Sequence, residues 1–436
     1  MQGCAFVTIA LALAAGLFTV FLCAKPATTL PPDFTDTLVT QAAPGEPGLL
    51  PTALAFTPDP DNRILIGSRP GELWVYENGA LVNTPALDLK SEICDNKERG
   101  LLGLAVDPSF NAQEPGEDYV YLYYTYKKHG VCPQDRPASN KNPVNRVSRF
   151  VMNGNTVDET NEEILLNNIP SPNGNHNGGD LHFGKDGNLY VSVGDGGCNL
   201  RRPSLCQYEN AAARYRNIPL GKLLRIEPDG DIPPGNPFVG PDSRRCNVDG
   251  RTARGKTCRE IFALGFRNPF RFAVDPNAAG TTLRVDDVGG QRWEEIDELD
   301  VVADAGADYG WNLCEGRHDN PERRGRVNCD GSKYTGPIHE YNHDTNCESI
   351  TGGAFVPNDG SWPDEYDDSY LFADFVCNRI FELRPDGTGF SREPFANVGG
   401  GGPVAMEFAR SGTQDLYYTT FTNGGQVRRI AYTGGG

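Results

Sequence analysis

This chain of 436 residues predicts an all-β fold, on three observations. Gly and Pro are abundant, 51 and 33 residues, without any collagen period, so the chain turns often. Helical periodicity is weak from end to end. Six strand–turn–strand units with period-2 alternation recur along the chain. No such unit can bury an apolar face alone, but six stacked radially can. The expected architecture is therefore a six-bladed β-propeller with long disulfide-tied loops, and a β-sandwich or a pair of β domains is the alternative.

The units follow in order. Ala53–Asp59 precedes Arg63–Ile66, and Leu104–Pro108 precedes Tyr119–Thr125. Leu181–Gly187 precedes Leu189–Val193, and Phe272–Pro276 precedes Leu283–Val285. Gly352–Val356 leads to Tyr370–Ala373, and Met406–Phe408 to Leu416–Thr420. Each pairs an alternating apolar run with a turn rich in Pro, Asp or Gly. The spacing is uneven, which leaves long loops at Lys127–Asn145, Gly196–Pro219 and Arg317–Asn346. The propeller is assigned to 50–436, after a linker or closing segment at 25–49.

Residues 1–24 read as a signal peptide. Ala5–Leu22 is continuously apolar or small and leads to Cys23-Ala24-Lys25-Pro26. Cleavage near Ala24 gives a secreted or periplasmic protein; retention gives a membrane anchor. Ten of the twelve cysteines lie beyond this segment. An even count there predicts disulfides, with Cys198–Cys206 and Cys246–Cys258 the simplest pairs. The net charge of −18 argues against a nucleic-acid partner. GxxxxGK[ST], HExxH and GxSxG are all missing, which removes the sequence support for phosphoryl transfer, zinc proteolysis and α/β-hydrolase chemistry.

Three segments carry candidate chemistry. His176 lies in Asn173–Leu181 (NGNHNGGDL), a Gly/Asn turn entering a strand, where a histidine could serve as a general base or simply bond local backbone. Phe266–Arg271 (FRNPFR) puts Arg267 and Asn268 side by side before a restricted turn, suited to carboxylates or sugar hydroxyls. Asp286–Glu298 combines Gly289 and Gly290 with an acidic run, which offers hard oxygen ligands for Ca²⁺ or is a solvated loop.

Through these segments the sequence resembles the soluble pyrroloquinoline quinone (PQQ)-dependent glucose and aldose sugar dehydrogenases, or glucose/sorbosone dehydrogenases. Hedgehog-interacting-protein-like proteins share their propeller. The resemblance is carried by Glu98–Ala105 (ERGLLGLA), the His176 turn, Leu220–Ile226 (LGKLLRI) and Gly265–Pro269 (GFRNP). It continues through Glu294–Leu299 (EEIDEL), Gly306–Trp311 (GADYGW) and Ile350–Gly353 (ITGG), in family order over about 50–432. It implies that His176 deprotonates the sugar C1 hydroxyl as hydride moves to the quinone. It implies that Arg267 and Asn268 contact quinone and substrate, and that Arg99 stands where the glucose dehydrogenases carry a Gln beside the substrate. Gly289 and Gly290 would offer carbonyls to a cofactor-bound Ca²⁺, while Glu295 and the Tyr309 region would hold a structural one. The implied partners are an aldose and an external electron acceptor.

One departure stands out. The glucose dehydrogenases grip the PQQ carboxylates with a Lys and two Arg from late strands. The matching stretches here, Phe375–Asn378 and Gly400–Ala405, contain no basic residue. Arg99, Arg267, Arg271 and Arg379 are the candidate substitutes, since buried carboxylates need cations. Loss of the clamp favours a non-catalytic propeller that binds a protein or glycan. The retained His176–Arg267–Asn268 set favours the enzyme. Lactonase-type hydrolysis with Ca²⁺ is a third reading without a motif of its own.

Overall fold

The computed structural model describes residues 30–42, 48–58, 63–111, 118–132, 143–197, 211–321, 327–387, 389–398, 401–410 and 412–434. The segment 1–24 and the Cys198–Cys206 pair lie outside these residues. The described residues form no α-helix, only strands and single 3₁₀ turns.

Six sheets of at least four strands each make the blades. Their innermost strands are Pro51–Phe56, Leu101–Val106, Leu181–Phe183, Pro269–Val274, Ile350–Phe355 and Pro403–Phe408, for blades 1 to 6. Each falls on one of the six repeated units, and each touches the next around the ring, with blade 6 touching blade 1. Both faces of such a strand are covered, which is why Leu101–Val106 and Ile350–Phe355 are buried along their whole length.

Alternation places the apolar side chains between blades. Leu65, Val75, Leu104, Val120 and Leu122 fill the space between blades 1 and 2, and Tyr121, Val147, Leu189, Val191 and Leu224 that between blades 2 and 3. Each fully buried side chain of this size contributes roughly 1.5–3 kcal/mol.

The ring is closed by the two ends of the chain. Phe34–Gln41 pairs antiparallel with Gln426–Tyr432 as the outermost strand of blade 6. Phe34 then packs edge-on against Trp362 (4.7 Å) and Phe395 (5.4 Å) of blade 5. Phe34–Gln41, inside the segment read from sequence as linker or closing piece, is the seam strand.

Four disulfides are present among the described residues: Cys94–Cys132, Cys246–Cys258, Cys314–Cys329 and Cys347–Cys377. This is the pattern of a chain that matures outside the cytoplasm. Cys246–Cys258 is one of the two pairs read from spacing; the other three join segments 15 to 38 residues apart.

Candidate functional site

The inner strands all run in the same direction along the axis, so the propeller has two unlike ends. A cavity of about 330 Å³ lies where these strands begin, lined by Thr52, Leu102, Asn268, Arg271, Thr351 and Val404 among others. A second, of about 380 Å³, lies where they end and includes Ala55, Val106, His182, Val274, Phe355 and Phe408. Strand geometry puts the two ends about 20 Å apart.

His176 lines the first cavity. Its turn holds it at φ 50°, a left-handed conformation rarely adopted by a side-chain-bearing residue. Three contacts fix it there. The His176 amide donates to Glu98 Oε2 (2.8 Å), and its carbonyl accepts from the Gly196 amide (3.2 Å). Its Nδ1 sits 2.8 Å from Asp195 Oδ1. Asp195 is itself immobilised, accepting from Trp311 Nε1 (2.8 Å) and from the Gly197 amide (2.8 Å). Burial works to raise the Asp195 pKa, but His176 and Arg267 outweigh it and hold the carboxyl below its usual range. An ionised Asp195 at Nδ1 leaves Nε2 as the histidine's free basic position.

Arg267 and Asn268 share this cavity. Their amides donate to the two oxygens of Asp287, at 2.8 and 2.6 Å. Burial raises Asp287 to about 7 despite these bonds. The Asn268 carboxamide oxygen accepts from the Gly178 amide (3.2 Å), and Arg267 Nη1 donates to the Val288 carbonyl (2.8 Å). The arginine and the His176 turn are thereby joined across blades 3 and 4.

Gly289 lines the cavity and Gly290 lies just behind it, 3.4 Å from Arg267 when given a Cβ. A Cβ at Gly289 would fall 1.7 Å from the Trp293 carbonyl oxygen, so only glycine fits. Glu294 accepts the Gly289 amide, and Glu315 Oε1 accepts the amides of Gly290, Gln291, Arg292 and Trp293. The loop thus uses its amides for its own bonds, which leaves the glycine carbonyls for an outside ligand.

Behind this loop lies a buried acidic set. Glu295 pairs with Asp287 on one side and Glu340 on the other, and Asp297 shares its strand face. Asp297 is 1% exposed, and neither of its carboxylate oxygens has a partner; nor does Glu315 Oε2. Burial first, then repulsion among these carboxylates, pushes Glu295 and Asp297 well above the usual range. Orphaned buried carboxylate oxygens suit a hard divalent cation, although no three of these side chains bring oxygens within 4.8 Å of one another, so binding would draw them together. Tyr309 packs beside this set, with its ring on Phe266 at 4.6 Å and its hydroxyl on the Glu298 carbonyl.

Arg99 stands elsewhere. Its guanidinium is turned onto Ser171 and Asn96 beneath the His176 turn, and burial lowers it to about 10. It is not among the residues lining the cavity. Sequence reasoning did not single out Asp195, Glu98, Glu315 or Arg69, whereas Asp297 lies in the acidic run it offered. For Asp195 a signal existed, an Asp set among three glycines (Gly194, Gly196, Gly197) at a strand end.

The family model for glucose/sorbosone dehydrogenases matches residues 50–398. The HIPL2 protein of Arabidopsis thaliana is 26% identical over 380 residues, covering 74% of this chain and 50% of that protein. Quinoprotein glucose dehydrogenase B of Acinetobacter calcoaceticus is 27% identical over 272 residues, covering 60% and 50%. The chain thus spans about half the length of these curated relatives. A PQQ-bound aldose sugar dehydrogenase structure from Streptomyces coelicolor superposes with a TM-score of 0.63 at 22% identity, over 92% of this chain and 99% of that one. At that identity the likeness speaks for the fold.

Proposed function

This chain belongs to the glucose/sorbosone dehydrogenase family, and from that premise we propose that it oxidises aldose sugars at C1 outside the cytoplasm, using PQQ and Ca²⁺ and an external electron acceptor. The observation that carries this reading is the Asp195–His176 pair, held at the cavity that Arg267 and Asn268 share.

When bound, the quinone supplies the acceptor for the hydride that leaves C1. The protein's own part is proton handling and positioning. His176 Nε2 takes the C1 hydroxyl proton. Asp195 fixes the imidazole tautomer and stabilises the imidazolium, as the acidic partner does in hydrolytic triads. Arg267 and Asn268 are positioned by Asp287 to hold oxygens of the substrate and the quinone. The carbonyls of Gly289 and Gly290 suit a Ca²⁺ at the cavity, and Glu295, Asp297 and Glu315 beside Tyr309 suit a structural one. The wall residues Phe270, Phe375 and Phe421 offer apolar faces to a planar ring.

The test is reconstitution of the purified chain with PQQ and Ca²⁺, read by absorption spectrum and dye-linked aldose oxidation. A bound-quinone spectrum with sugar-dependent dye reduction is expected. Absence of PQQ binding overturns the reading. The second reading, a non-catalytic propeller that binds a protein or glycan, is favoured by one observation. The late-blade stretch Phe375–Asn378 carries the Cys347–Cys377 disulfide and no base.

A further inference from the structure

The cavity gathers cations in a chain of net charge −18. Arg69, Lys97, Arg267 and Arg271 all line it, against Glu98 and the half-buried His176. Arg267 is committed to the Val288 carbonyl and the Trp311 ring, at 2.8 and 5.5 Å. The other three are unused by the reaction described above.

Their placement answers the missing late-blade clamp. Among the described residues, blade 6 contributes Val404 and Phe421 to the wall, and blade 5 contributes Ser349, Thr351 and Phe375. Arg69 follows the second strand of blade 1, the ring neighbour of blade 6. Its guanidinium lies over the Phe421 ring, 4.9 Å from the centroid, and so covers the blade 6 wall with positive charge. One Nη donates to the Lys97 carbonyl (3.1 Å), while Nε is buried without a partner.

Arg271 makes the floor. It starts in blade 4 and reaches across the axis to blade 1, donating from Nη2 to the Thr52 carbonyl (2.6 Å). It is 3% exposed, and its Nε is likewise buried without a partner. Burial lowers its pKa, with Asp180 below it opposing the shift. The Nε atoms are closed off from the cavity, but the Nη groups keep hydrogens beyond the bonds just named, which an arriving acceptor can take. Planar guanidinium forks suit carboxylates best.

We propose that Arg69 and Arg271, with Lys97 at the mouth, grip the carboxylates of an aromatic polycarboxylate quinone, replacing the late-blade clamp by one built on blades 1 and 4. The proposal rests on the quinone-binding reading above and names residues that it leaves open. The ligand's ring lies against Phe421 and Phe375, and its acid groups face the two arginines.

The test uses the full chain, free PQQ, and the PQQ trimethyl ester, which keeps the ring and removes the charges. Dissociation constants are read by quenching of intrinsic fluorescence. Wild type should bind the free acid more tightly than the ester. Arg69→Gln should weaken free-acid binding by about 10- to 100-fold and ester binding by no more than about threefold. Arg69→Lys should recover part of the loss. Lys256→Gln, in an exposed ion pair with Asp242 away from the cavity, should change neither. Where Arg271→Gln fails to fold, Arg69→Gln carries the test alone. Equal losses for acid and ester, or no loss for either, overturn the clamp while leaving quinone binding intact. A wild-type chain that binds neither probe overturns the quinone reading and the clamp together.

Discussion

The two ends of the propeller axis each carry a histidine paired with a buried aspartate in a cavity. His176 meets Asp195 at 2.8 Å, and His182 meets Asp180 at 3.3 Å. The pairs differ in what surrounds them. His176 stands on a strained turn, among arginines and aromatic walls, beside a loop with free carbonyls. His182 stands within a regular strand, edge-on to Phe272 at 4.9 Å, with Glu407 nearby. Asp180 also accepts the Phe272 amide (2.9 Å), so it ties blade 3 to blade 4. A histidine–carboxylate pair therefore does not by itself mark a site. The second end has one strained and unsatisfied residue of its own, Gln414, at φ 47° with its Oε1 buried without a partner. The first is set apart by gathering cations, aromatic walls and free carbonyls around its pair.

The largest expected effect tests this contrast directly. His176→Ala should lower aldose oxidation by about 10²-fold or more with the circular dichroism spectrum unchanged, as loss of a general base does. His182→Gln should leave turnover essentially as it was. Equal loss in both variants would break the distinction between the ends. Next, Asp195→Asn should lower kcat by about 10- to 100-fold and leave KM little changed, because the amide supports the wrong tautomer. A KM effect alone would instead make Asp195 a substrate-binding group.

Cation removal should be weaker but sharply dependent on pH. Without a cation, Glu295 and Asp297 hold protons in the folded chain that the unfolded chain releases near pH 4. The folded state then binds more protons than the unfolded one, and stability falls as pH rises. A bound cation keeps the carboxylates ionised and cancels that fall. A chelator should therefore lower Tm by several degrees more at pH 8 than at pH 5 (about 1–2 kcal/mol by size scaling). An equal shift at both pH values would remove the acidic set as a cation site.

The smallest effect belongs to the second end. Burial lowers the His182 pKa, but Asp180 and Glu407 outweigh it and leave it raised; Asp180 is lowered. The pair is then fully stabilising between about pH 4 and pH 6.5, and its contribution is lost as pH rises through the raised His182 value. The stability gap between wild type and His182→Gln should be about 1 kcal/mol larger at pH 5.5 than at pH 8.5, measured by urea unfolding. A gap independent of pH would mean that the ring only packs on Phe272.

The same contrast explains what was legible in the sequence. The six inner strand pairs were readable because alternation and turn chemistry are local. Phe34–Gln41 was readable only as part of a linker or closing segment, since its pattern (FTDTLVTQ) is mostly polar and its pairing depends on the far end of the chain. At the site, the His176 and Arg267–Asn268 segments stood out because glycines or a proline beside them signal unusual backbone. Asp195 acts 19 residues away from its partner, and Arg69 reaches its aromatic neighbour only after the ring closes. Arg99 shows the limit of reading by position: the local motif is present, but packing turns the guanidinium away.

The seam in blade 6 also sets an order in time. Synthesis runs from the N-terminus, so Phe34–Gln41 leaves the ribosome long before Gln426–Tyr432, its partner about 400 residues away. Until then it is an unpaired edge, and its threonines, aspartate and glutamine protect it from joining other chains. Because every blade contributes to the cavity wall, the cavity is complete only once this last pairing forms. A chain ended at Gly425 should thus be more open to protease throughout, rather than frayed at one blade. Any ligand that spans the axis must be loaded onto a finished chain, and once loaded it acts as a bolt across the closed ring.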